Sequence, residues 1–119
     1  MRILLVEDET LLRTSLLHLL RRAGFDVQAV RGVSEALATQ PEFVPDILIT
    51  DWLLQGDGDG LDLARRLRQA TPSLRVIVIT GLLAGEARPE LAPSAAGVVL
   101  LEKPFLFADL LATIERIRA

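Results

Sequence analysis

Three acidic residues in a row, Glu7, Asp8 and Glu9, directly follow the apolar run ILLV at 3–6. Asp51 directly follows a second such run, ILIT at 47–50, Thr80 closes a third, VIVIT at 76–80, and Lys103 comes just after a fourth, VVLL at 98–101. Clustered carboxylates ionise at low cost only when a cation shares the site, and Mg²⁺ takes its oxygen ligands from one or two carboxylates, phosphate and water. A phosphoryl group in transfer spreads charge over its equatorial oxygens, which a metal ion, a lysine and a hydroxyl can share. An aspartate carboxylate can also act as a nucleophile and form an acyl phosphate. These residue types, brought to one place, therefore suit metal-assisted phosphoryl chemistry.

Two other features invite a chemical reading and fail it. The stretch DWLLQGDGDGLDL at 51–63 holds four aspartates and three glycines in thirteen residues. Aligned to a calcium loop, it places Gln55 at the first position, which should be acidic, and Arg66 at the twelfth, where a bidentate glutamate belongs. The positive residue there rejects the motif. Asp59 and Asp62 instead favour the start of a helix near Gly60, with the glycines permitting a tight turn. His18, the single histidine, lies off the apolar stripe of its segment and is expected at the surface.

The elements that must position the reactive groups are legible as periodicity. Runs at 3–6, 27–30, 47–50, 76–80 and 98–101 read as strands. Four are continuous and apolar, as expected for parallel strands covered on both faces, whereas VQAV at 27–30 suits an edge. Between them lie helical patterns: Leu12, Leu16, Leu19 and Ala23, stopped by Gly24; a short helix over 34–39 with Ser34 as N-cap; Leu61, Ala64 and Leu67; and Phe107, Leu110, Leu111, Ile114 and Ile117. A further helix is expected within 81–97, shortened or broken by Pro89 and Pro93. Strands alternating with helices predict a three-layer, doubly wound α/β sandwich with a five-stranded parallel sheet. In such sheets ligands bind beyond the carboxyl ends of the strands, the edge where Glu7, Asp8, Asp51, Thr80 and Lys103 would all fall.

Composition excludes several classes. A 119-residue chain that is 50% hydrophobic and 24% charged is expected to fold as one domain over 1–119. The absence of cysteine rules out disulfides and thiolate metal sites. A net charge of −3 argues against bulk nucleic-acid binding, and ARRLR at 64–68 reads as a solvated helix face. No apolar run is long enough for a signal-peptide core or a membrane span, so a cytoplasmic setting is expected. No glycine-rich phosphate loop follows the first strand, which argues against a nucleotide or flavin binder.

The motifs LLVEDE, ILITD, VIVITG and EKPF, in this order and covering nearly the whole chain, resemble the receiver domain of bacterial two-component response regulators. The resemblance implies the flavodoxin-like strand order 2-1-3-4-5 and a phospho-accepting aspartate that assists its own phosphorylation without being a turnover enzyme. It implies a histidine kinase or histidine phosphotransfer protein as donor, with a downstream protein target or a tethered kinase or output domain as recipient of the signal. By position, Asp51 resembles the acceptor, Asp8 the direct Mg²⁺ ligand and Glu7 its acidic neighbour acting through water. The backbone carbonyl of Leu53 matches the position that completes the metal site, Thr80 the switch hydroxyl and Lys103 the phosphoryl-binding lysine. The Lys103–Pro104 bond is expected to be cis.

The chain also departs from that pattern. Its loop from Asp51 to Gly60 is one residue longer than usual and lacks the customary proline. Leu100 stands where the aromatic switch residue is usual, and the prolines within 81–97 make the usual output surface atypical. Leu53 and Leu82 occupy the positions that tune loss of the phosphoryl group; neither can orient water, so slow autodephosphorylation is expected. No output region follows Ala119, leaving open a stand-alone regulator, a fragment of a longer one, or the receiver of a hybrid kinase, towards which the longer loop and altered face incline. An aspartyl-nucleophile phosphatase is the rival enzyme, but it wants an acid–base aspartate where Leu53 stands. A phosphorylation-independent interaction module of the same fold is the other alternative.

Overall fold

The computed structural model describes residues 1–39, 42–52, 59–81 and 97–118. Five strands, β1 (Arg2–Val6), β2 (Asp26–Val30), β3 (Ile47–Asp51), β4 (Arg75–Thr80) and β5 (Val98–Glu102), form one sheet in the order β2-β1-β3-β4-β5. Every neighbouring pair is parallel. Four described helices, α1 (Thr10–Arg22), α2 (Val33–Thr39), α3 (Gly60–Ala70) and α4 (Phe107–Arg118), cover its two faces. The expected segment with Pro89 and Pro93 lies outside the described residues, as do Leu53, Asp57 and Leu82.

Strand side chains alternate between the faces, so each continuous apolar run feeds two cores. Leu4, Val6, Leu48, Val76 and Val78 pack with α2 and α3, through residues such as Ala36, Leu63 and Leu67. Ile3, Leu5, Ile47, Ile49, Ile77 and Ile79 pack with α1 and α4, through Leu16, Leu20, Leu110 and Ile114. The edge position expected for VQAV is observed: β2 buries Val27 and Val30 and exposes Gln28. β5 is the opposite edge and is only half-buried, so its apolar run does not have the full two-sided cover expected of it.

Helix faces differ from expectation in detail. On α1 the buried residues are Leu16 and Leu20, four apart on one line, while Leu12 is half-buried and Ala23 has become the exposed C-cap. Gly24 does stop the helix, at φ +100°, where its amide donates to the Arg21 carbonyl at 3.0 Å. α2 starts at Val33, one residue earlier than expected, because the Ala36 amide already bonds the Gly32 carbonyl; Ser34 thus lies inside the first turn. In α4, Thr113 is buried where Leu111 was expected, its hydroxyl satisfied by the Asp109 carbonyl at 2.8 Å, and Leu111 is half-buried. Arg65 and Arg66 lie on the exposed face of α3, and His18 is exposed on α1, both as expected.

The junction of β3 and α3 fixes the strand end that carries Asp51. Asp59 caps α3 by accepting from the Asp62 amide at 2.7 Å, and the Gly60 amide donates to the Trp52 carbonyl at 2.7 Å. This draws the Gly60 α-carbon directly onto the strand. A β-carbon there would collide with the Asp51 carbonyl and lie 2.7 Å from Thr50 Oγ1, the hydroxyl that donates to that same carbonyl. Gly60 is therefore required for lack of a side chain. Gly60→Ala is expected to lower stability in urea unfolding by about 1–3 kcal/mol, the usual cost of forced overpacking; an unchanged midpoint would show that the junction yields freely.

Candidate functional site

Parallel register brings the carboxyl ends of β1, β3, β4 and β5 to one edge: Val6 pairs with Thr50, Asp51 with Ile79, and Thr80 with Glu102. The chain reverses its direction of winding between β1 and β3, and a ligand crevice is expected at that switch point. A cleft of about 250 Å³ opens there, lined by Glu7, Asp8, Glu9, Asp51, Trp52, Ile79, Thr80, Gly81 and Lys103. The structure thus assembles in one cleft all the described residues singled out in the sequence: Glu7, Asp8, Asp51, Thr80 and Lys103.

Two of the carboxyl groups are nearly removed from water, Glu7 being 1% and Asp51 5% exposed. One oxygen of each, Glu7 Oε1 and Asp51 Oδ1, receives no hydrogen bond. Carboxylate oxygens of Glu7, Asp8 and Asp51 lie within 4.8 Å of one another. The Lys103 ammonium stands 3.2 Å from Asp51 Oδ1 and 4.0 Å from Glu7 Oε1, as an ion pair rather than an aligned hydrogen bond. Its backbone is tied to β4, the Lys103 amide donating to the Thr80 carbonyl at 2.8 Å, and the Lys103–Pro104 bond is cis as expected.

These surroundings disturb two protonation equilibria. Burial, then the adjoining Asp51 carboxyl, pushes the Glu7 pKa up to about 8, against the Glu9 amide, which lowers it. For Lys103 burial pulls the value down, but the charges of Asp51 and Glu7 outweigh it, and the net direction is upward. An acidic trio in which Glu7 and Asp51 are buried, Asp8 is half-buried and two oxygens lack hydrogen bonds suits a small hard cation, so these residues fit Mg²⁺. Glu9 holds the N-cap position of α1, yet its side chain makes no capping bond.

Sequence reasoning missed the supports of Glu7. The Glu9 amide donates to Glu7 Oε2 at 3.1 Å, and Arg13 Nη1 donates to the Glu7 carbonyl at 2.9 Å. Arg13 did carry a signal: a cation in the first turn of a helix opposes the macrodipole and needs another reason to be there.

The sequence profile of the response regulator receiver domain matches residues 3–115. The chain belongs to this family. A receiver domain is a component of two-component signal transduction, a phospho-acceptor rather than a turnover enzyme, and it implies a cognate histidine kinase. The receiver is 36% identical over 116 residues to the response regulator receiver protein CpdR of Brucella abortus, covering 97% of this chain and 94% of CpdR. It is 35% identical over 115 residues to the phosphate regulon transcriptional regulatory protein PhoB of Rhizobium meliloti, covering 96% of this chain but 50% of PhoB. Among solved structures, the response regulator TrrA of Thermotoga maritima, in complex with Mg(2+)-BeF, superposes with a TM-score of 0.82 at 25% identity, over 98% of this chain and 97% of that one. The acidic cluster of Glu7, Asp8 and Asp51 is consistent with the phospho-acceptor site of a receiver. Among the described residues, no helix is long and apolar enough to cross a membrane.

The Glu7 shift makes stability pH-dependent. Its folded pKa lies above the ordinary value of 4.5, so the folded protein holds the proton more tightly. That contribution is complete below about pH 4.5 and is lost as pH rises towards 8. Without divalent metal, the unfolding free energy from urea titrations is expected to fall between pH 5 and 8, by on the order of a few kcal/mol, and to fall less in Glu7→Gln. Equal slopes in the two proteins would contradict the assignment.

Proposed function

We propose that this receiver takes a phosphoryl group from a phosphohistidine onto the Asp51 carboxylate, with Mg²⁺ in the acidic trio, and that the modified site alters a protein-interaction surface. The observation that carries this reading is the convergence of three carboxylates within 4.8 Å beside a lysine 3.2 Å from one of them. The Thermotoga maritima relative in complex with Mg(2+)-BeF supports it.

Glu7, Asp8 and Asp51 would hold the metal, with the Leu53 carbonyl as a further ligand; Leu53 lies outside the described residues. When bound, Mg²⁺ neutralises carboxylate and phosphoryl charge and orients the group in transfer. An Asp51 oxygen attacks phosphorus, the bond from phosphorus to the donor imidazole breaks, and the departing nitrogen takes a proton from water. Lys103, already paired to Asp51 Oδ1, shares the charge of the arriving oxygens. The Thr80 hydroxyl lines the same cleft and is the candidate switch group. Leu100, half-buried against the core on the α2/α3 face, leaves only an aliphatic side chain to relay the change.

The donor is a histidine kinase or a histidine phosphotransfer protein. The recipient of the signal is a downstream protein or a tethered kinase or output domain; nucleic acid and membrane are not direct partners in this reading. Incubation with a small acyl-phosphate donor and Mg²⁺ should add one phosphoryl group by intact mass, absent in Asp51→Ala. Because Leu53 and Leu82 cannot orient water, the added mass should outlast removal of the donor by far more than seconds. No addition would favour a passive interaction module.

A further inference from the structure

Glu7 is gripped on three sides. Its amide donates to the Val30 carbonyl of β2 at 3.0 Å, its Oε2 accepts from the Glu9 amide at 3.1 Å, and its carbonyl accepts from Arg13 Nη1 at 2.9 Å. The group left over is Oε1, which is buried, without a hydrogen bond, and 4.0 Å from the Lys103 ammonium. Two of the three restraints are main-chain amides that any sequence supplies. The third is a side chain that spans six residues, from the first turn of α1 back to the end of β1.

We infer that Arg13 is a positioning residue for the acidic trio: by holding the Glu7 carbonyl it fixes the β1–α1 turn, so that the Glu7 and Asp8 carboxylates meet Asp51 ready to take a divalent cation. The inference rests on the metal-dependent reading of this site. Holding the turn in advance removes ordering that metal binding would otherwise require, the role that groups supporting metal ligands generally play.

A competing effect has the opposite sign, because a guanidinium near the site also repels a dication. The leading influences on the Glu7 carboxyl are burial, Asp51, the Glu9 amide and Asp8, and Arg13 is not among them. Its charge reaches Glu35 weakly, behind the stronger contacts of Arg31. Arg13 contacts Glu7 through its carbonyl, and in this proposal orientation outweighs repulsion.

The test is Mg²⁺ titration by isothermal calorimetry of the wild type, Arg13→Met and Arg13→Lys, each shown folded by circular dichroism at the titration temperature. Met keeps the length and loses the donor; Lys keeps a donor and the charge. The expected result is affinity weakened about 10-fold in Arg13→Met, the scale for groups that orient metal ligands, and largely regained in Arg13→Lys. A stability defect without a bearing on the turn would not give that rescue. Unchanged or tighter binding in Arg13→Met, with a wild type that binds, overturns the role of Arg13 alone. Absence of binding in the wild type removes the metal reading and this inference together.

Discussion

The carboxyl groups of Glu7 and Asp51 are held out of water at the end of the sheet, a few ångströms apart, with a single lysine against them. Burying like charges is costly, and the molecule meets the cost in two ways that work against each other. Lys103 supplies one positive charge to a site with three carboxylates, and Glu7 retains a proton to near pH 8. In the proposed reading a divalent cation would displace that proton and satisfy the orphaned oxygens. The two buried oxygens without hydrogen bonds are the acceptors that reading assigns to the metal and the phosphoryl group.

The rest of the fold keeps this arrangement from relaxing. β1, buried from Ile3 onward, and the fully buried β3 are neighbours, so the residues that follow them cannot drift apart without breaking the centre of the sheet. Asp51 is further pinned by Gly60, whose α-carbon rests on its carbonyl, and Glu7 by Arg13 and the Glu9 amide. A looser frame would let the carboxylates separate and regain solvent, and the electrostatic tension that favours a cation would vanish.

Much of this was legible in the sequence because strand ends are easy to read. Four continuous apolar runs and the mixed run VQAV mark five strands, and the residues at the ends of the continuous ones are Glu7, Asp8, Asp51, Thr80 and Lys103. The rest depended on contacts that leave no periodic trace. Arg13 meets the Glu7 carbonyl through space, and the need for Gly60 arises from a clash with a strand rather than from a turn. The buried face of α1 was misplaced because five leucines, Leu11, Leu12, Leu16, Leu17 and Leu20, lie beside Leu19 and support more than one stripe. Thr113 was overlooked because a threonine joins a core once its hydroxyl bonds the preceding turn.

Exchange of a proton for a metal at Glu7 is the point on which the account turns, and proton counting measures it directly. Mg²⁺ titrations at pH 7, in buffers of differing ionisation enthalpy, give the number of protons released per ion bound. With the Glu7 pKa near 8, about one proton should leave for each Mg²⁺ in the wild type and almost none in Glu7→Gln. Binding without proton release in the wild type would contradict it, since Glu7 would then be ionised already and the site under no such tension.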